Sequence, residues 1–137
     1  MREITIELYD DKSVKVKDIL LGDKFDSKIT SVIFDFTNSE FADSLKYKYF
    51  YYKNINSEDY KVIDILKINN NRIVLDCEFT KNYGDYDCLL VLSNEEVIDC
   101  FENDSEIFVS NSFILSIRNN FLEDTKDLEI KENKEGL

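Results

Sequence analysis

Any chemistry in this chain of 137 residues has to come from carboxylates, thiols, hydroxyls and lysines, because it contains no histidine. That removes the usual proton-transfer group near neutral pH and the commonest metal ligand. The carboxylates come in close sets: Asp10 with Asp11, Asp85 with Asp87, and Asp104 with Glu106. A calcium ion needs roughly six to eight oxygen ligands gathered by a sharply turned loop. Asp85-Tyr86-Asp87-Cys88 instead runs straight into CLLVL, and no D-x-D-x-D-G order occurs anywhere in the chain. Paired carboxylates also hydrolyse glycosidic bonds, but only at separations of roughly 5 to 10 Å, which spacing along a chain does not fix. Solvated strand edges explain these residues at less cost, and Asp64, Asp76 and Glu78 are expected to block edge-to-edge pairing with other chains.

The remaining nucleophiles fare no better. Cys77, Cys88 and Cys100 are odd in number and lack a CxxC spacing, so buried free thiols are expected. No serine sits in a G-x-S-x-G turn, and a Ser-Lys pairing is only formally open. Gly22, Gly84 and Gly136 are too scattered to cradle a phosphate. The expectation is therefore no enzyme, no metal and no cofactor.

Binding chemistry is better represented. In YKYFYY, residues 47–52, aromatics interleaved with lysines can stack on sugar rings or bases. The formal charge of −12, from 29 acidic against 17 basic residues, repels phosphate backbones and anionic lipid, so neither nucleic acid nor membrane is an expected partner. Tyr47, Tyr49, Tyr51 and Tyr52 are instead candidates for a protein interface. Leu89 and Val91 join them, because they lie opposite Cys88, Leu90 and Leu92 on a strand apolar on both faces.

The elements that must carry these residues are read from the alternation. ITIEL (4–8) places Ile4, Ile6 and Leu8 on one face, and VKVKDILL (14–21) begins in the same way. KITSVIFDF (28–36) aligns Val32, Phe34 and Phe36, and SEFADSL (39–45) reads as one helical turn capped by Ser39. LKYKYFYYK (45–53) follows, with Phe50 and Tyr52 facing away from Tyr47, Tyr49 and Tyr51. YKVIDILKI (60–68) and RIVLDCEF (72–79) flank NNN, whose asparagines tolerate the positive φ of a tight hairpin; Ile73, Leu75, Cys77 and Phe79 then share a face. DYDCLLVLS (85–93) turns at Ser93 to Glu95 into VIDCF (97–101), and IFVSNSFILSI (107–117) bends at Ser110 to Ser112. Short alternating runs at this rhythm predict an all-β, Ig-like antiparallel β-sandwich of about eight strands over residues 1–120. Residues 121–137 form a charged tail, and no apolar run approaches the roughly 20 residues that cross a bilayer.

In Ig-type sandwiches a tyrosine two residues before a cysteine opens a late strand, and its hydroxyl bonds back to nearby backbone. Tyr86 stands two before Cys88 and follows Gly84 in a turn, so both are assigned structural roles. No cysteine precedes Cys77 and there is no tryptophan, so an antibody-like core is excluded. On a larger scale GDKFDSKITSVIFDF, the G-x-Y of Gly84 and Tyr86, DYDCLLVLSNEEVIDCF and FVSNSFILSI resemble the N-terminal β-sandwich domains of siphophage baseplate upper proteins. The resemblance implies a non-enzymatic structural protein of a phage or phage-like particle, in its tail, baseplate or capsid decoration. Such a protein is made in a bacterial cytoplasm and assembled into the virion, with other virion proteins or further copies of itself as partners. The alternative is a carbohydrate-binding module that offers its surface tyrosines to sugar rings.

Overall fold

The computed structural model describes residues 2–96 and 106–119. Period-two alternation makes β1 (Arg2–Leu8), whose Ile4, Ile6 and Leu8 are fully buried. It pairs antiparallel with β2 (Val14–Val16) and parallel with β4 (Thr30–Asp35), setting Ile4 beside Val32 and Ile6 beside Phe34. β7 (Arg72–Val74) joins β4 antiparallel, giving a four-stranded sheet of order β2-β1-β4-β7.

The second sheet has the order β3-β10-β8-β5-β6, from β3 (Leu20–Asp23), β5 (Tyr47–Asn54), β6 (Lys61–Asp64), β8 (Gly84–Ser93) and β10 (Phe113–Arg118). A sixth strand, β9 (Ile107–Val109), lies on β8 beyond the end of β10. The inner faces of the two sheets close on one core. Phe34 meets Phe50 at 5.2 Å between ring centroids, and Phe50 stacks on Phe113 at 6.3 Å. Leu90, Leu92, Leu115 and Ile117 fill the space beside them, each such side chain contributing about 1.5–3 kcal/mol on burial. The fold is all-β, in two sheets. No helix among the described residues is long and apolar enough to cross a membrane.

Several expectations hold in detail. Ser39 caps α1 (Glu40–Ser44), accepting from the Ala42 N–H at 3.2 Å. The break at Ser110 separates β9 from β10, with the Ser110 hydroxyl accepting the Leu90 N–H at 2.8 Å and its own N–H donating to the Leu90 carbonyl at 2.9 Å. Other expectations need correction. The pairing is mixed rather than antiparallel, since β1 with β4 and β3 with β10 run parallel. VKVKDILL is two strands in different sheets, divided where the Asp18 carboxylate accepts the Leu20 N–H at 3.0 Å and turns the chain.

NNN is a turn without a hairpin. Asn70 and Asn71 take φ of 55° and 53°, as their side chains allow, but they carry the chain from β6 in one sheet to β7 in the other. The strand before them stops because Asp64 caps a 3-10 turn at Ile65–Lys67, accepting from the Leu66 N–H at 3.1 Å, while Ile65 buries into the core. RIVLDCEF is also no continuous strand. Asp76 caps α2 (Cys77–Thr80), accepting from the Phe79 N–H at 2.9 Å. The expected return arm 97–101 and the tail 121–137 lie outside the described residues.

Candidate functional site

Three rings meet at one end of the sandwich. Tyr52 points inward from β5, Phe79 comes from α2, and Tyr86 from the start of β8. Tyr52 and Phe79 lie 4.9 Å apart between centroids with planes tilted by 34°, and Phe79 and Tyr86 stack at 6.5 Å with 26° between planes. Gly84, at φ 112°, makes the bend that turns the chain into β8. The Tyr86 hydroxyl then donates to the Asn82 carbonyl at 2.6 Å, the back-bond expected of it, and this fixes the ring. Packed against one another, the rings make a floor rather than the walls of a cage.

Above that floor is a cavity of about 170 Å³ whose rim carries Lys53, Asn54, Ser57, Asp59, Lys61, Glu78 and Asn82. Two lysines and two carboxylates leave this rim with no net charge, in a chain that is otherwise strongly acidic. Some rim groups are spent on structure. Asn54 donates to the Tyr83 carbonyl at 3.0 Å and accepts from the Asn56 N–H at 3.0 Å, and Glu78 pairs with Lys81 at 3.0 Å. Others are available: among the described residues the side chains of Asp59, Lys61 and Asn82 and the Tyr52 hydroxyl make no hydrogen bond or ion pair. Burial, with the nearby Tyr86 and Asp76 as lesser causes, holds the Tyr52 hydroxyl above the ordinary tyrosine pKa, so it remains a neutral donor and acceptor. A wider depression of about 410 Å³ shares Asn54, Ser57 and Asn82 with the cavity and leads to Tyr83, which is 48% exposed. The Lys24 ammonium sits 5.1 Å from that ring's centroid.

The tyrosines singled out in the sequence are divided between two places. Tyr52 belongs to the cavity. Tyr47, Tyr49 and Tyr51 stand on the outer face of the six-stranded sheet, in register with Ser93, Val91 and Leu89 of β8. Within that face Tyr49 and Val91 are buried, while Tyr47, Tyr51 and Leu89 are half-buried. Tyr51 meets Tyr60 edge-on at 6.3 Å. Phe79, Asp59, Lys61, Asn82 and Tyr83 were not anticipated. The signal that could have found Phe79 is Asp76 followed by Glu78, an N-cap with an acidic first turn.

Most of the suspect carboxylates have structural work. Asp10 accepts from the Ser39 hydroxyl at 2.8 Å and from the N–H groups of Glu40 at 3.0 Å and Phe41 at 3.3 Å, tying the β1–β2 turn to the start of α1. Those bonds, led by the Glu40 N–H, pull its pKa below the carboxylate range. Asp11 accepts from both the hydroxyl and the N–H of Ser13, and Asp85 accepts the Ser116 hydroxyl at 2.6 Å. Asp64 and Asp76 cap turns, and Glu78 is on α2, so the last two guard no strand edge. Asp104 and Cys100 lie outside the described residues. Cys88 is a free, buried thiol that burial pushes up to about 12, whereas Cys77 is free but exposed, contrary to expectation. Among the described residues no three acidic or cysteine side chains gather into a metal-binding group. The chain matches no protein-family model and no curated protein.

Proposed function

We propose that the chain is a non-enzymatic assembly module of a phage or phage-like particle: an Ig-like sandwich that meets other copies of itself through the outer face of its six-stranded sheet. The observation that carries this is the composition of that face. Val62, Tyr51 and Leu89 form one cross-strand row, and Ile107 and Val109 extend the apolar surface along β9. Ile114, 39% exposed, adds to it from β10, and Val62 is 52% exposed. A solvent-facing sheet surface is ordinarily polar, so exposed apolar side chains gathered on one, around the buried Tyr49 and Val91, mark a contact surface. Lys53 and Asp87 lie side by side on the same face, so it offers both charges to a two-fold related copy.

The Ig-like reading draws support from strand order. β10-β8-β5-β6 runs as the G, F, C and C′ strands of a variable-type domain do, and β4 with β7 matches the antiparallel B–E pair. The Tyr86 back-bond is at the E–F corner, where such domains place it. The parallel partnership of β1 with β4 departs from that plan.

Sedimentation of the purified chain over a range of micromolar concentrations tests the assembly. The expected result is self-association that strengthens with salt, since each copy carries −12 and screening weakens the repulsion. Leu89→Lys places a charge in the middle of the face and should give a monomer. A strict monomer at every concentration and salt would sink the proposal. For the particle setting, tail or capsid genes beside the coding gene are the supporting outcome.

A further inference from the structure

We propose that the cavity over Tyr52, Phe79 and Tyr86 binds one ring of a neutral saccharide, and that Tyr83 takes the next ring of the same chain. Size comes first. A cavity of about 150 Å³ is filled by one benzene ring, so about 170 Å³ admits one six-membered ring and not a drug-sized ligand. The floor is chemically matched to the C–H face of a pyranose, since the half-buried rings of Tyr52 and Phe79, backed by the buried Tyr86, present an apolar, electron-rich surface.

The rim decides against ions. An anion would meet Asp59 and a cation would meet Lys61, and the rings do not enclose a cation as an aromatic cage does. A ring bearing several hydroxyls satisfies both, because each hydroxyl donates and accepts. Asp59 can accept, Lys61 can donate, and the Asn82 amide can do both; none of the three side chains has a partner among the described residues. The shared wall at Asn54, Ser57 and Asn82 makes the exposed Tyr83 the continuation of the same groove, which favours an oligosaccharide over a free monosaccharide. The proposal does not depend on self-association, because the aromatic floor and the binding groups of Asp59, Lys61 and Asn82 lie off the outer sheet face, to which Lys53 of the rim belongs.

The test is an amide chemical-shift titration of the monomeric Leu89→Lys chain, or of the native chain if that proves monomeric. The probes are the methyl glycosides of glucose, galactose, mannose and N-acetylglucosamine, followed by a disaccharide of whichever binds. Expected are saturable shifts at Lys53, Asn54, Lys61 and Asn82 with a dissociation constant of about 1 mM, an ordinary value for so small a contact. The disaccharide should bind at least about threefold more tightly and shift Tyr83, the added ring bringing one more stacking contact. Asp59→Ala and Lys61→Ala, both exposed and outside the core, should each weaken binding by about tenfold, as loss of one hydrogen bond to a charged group does. Tyr52→Ala should abolish it, and Tyr47→Ala should leave it unchanged. No shift with any glycoside, shifts confined to the outer sheet face, or saturation by tetramethylammonium in place of the glycosides would each overturn the proposal.

Discussion

Replacing Tyr86 with phenylalanine removes one hydroxyl and leaves the ring in place, so it tests the back-bond to Asn82 together with the weaker contact that the Asn54 amide makes to the same hydroxyl. The bond is short, 2.6 Å, and the ring is 5% exposed. Asn82 itself is exposed, so water can reach its carbonyl once the hydroxyl is gone. The loss is therefore the net value of an exchanged hydrogen bond, about 1 kcal/mol, and not the larger penalty of a sealed, orphaned acceptor. For a chain of this length that corresponds to roughly 3 to 5 °C in Tm. Equilibrium urea unfolding measures it directly, with the denaturant slope unchanged if only stability moves. Tyr52→Phe is the internal comparison, since its hydroxyl has no partner among the described residues and its removal should cost less than about 0.5 kcal/mol. Equal stabilities for the two variants would refute the claim that the corner bond holds the start of β8. A loss beyond about 3 kcal/mol would refute the other half of the reasoning, that the freed carbonyl is hydrated.

Alkaline pH should unfold the protein, and the direction follows from the buried hydroxyls. Burial raises Tyr86 and Tyr52 in the folded state, so their contribution is intact below the ordinary tyrosine value of about 10 and is lost as pH rises through the folded value. Stability measured across that range should fall, and less steeply in Tyr86→Phe. Thiol labelling of the native protein near pH 8, read by peptide mapping, should modify Cys77 quickly and Cys88 only on unfolding; equal rates would contradict the burial that raises Cys88 to about 12. Asp76→Ala removes the cap of α2 and should cost about 1 kcal/mol. It should also abolish whatever binding the cavity supports, because Phe79 loses its anchor; wild-type binding in a folded Asp76→Ala chain would show that α2 does not shape the site.

How much of this was legible in the sequence depends on what decides each element. Where one face of a strand is buried, period-two alternation is enough, and Ile4, Ile6 and Leu8, or Tyr86, Cys88, Leu90 and Leu92, lie where alternation puts them. The Tyr86 back-bond was readable because it is local, with donor and acceptor four residues apart. Partner choice was not readable, because it is settled by contacts far apart in the chain. Nothing within YKVIDILKI and RIVLDCEF says that the first pairs with β5 and the second with β4, and the three asparagines between them serve a crossing as well as a hairpin.

The same limit hid the cavity. Read by alternation, Cys77 and Phe79 extend the strand from Ile73 and Leu75, and Phe79 becomes one more core residue on a sheet. What overrides the alternation is hydrogen bonding: the Asp76 carboxylate takes the Phe79 N–H, the Thr80 N–H returns to the Asp76 carbonyl at 3.1 Å, and the Thr80 hydroxyl crosses to the Asp26 carbonyl at 2.6 Å. Once the chain is wound there, Phe79 leaves the sheet and lands between Tyr52 and Tyr86. A local capping preference worth about 1 kcal/mol thus prevails over a pattern that would bury the same side chain elsewhere. The departure from the strand pattern and the formation of the aromatic floor are one event, so a sequence reading that missed α2 had no means of placing the three rings together.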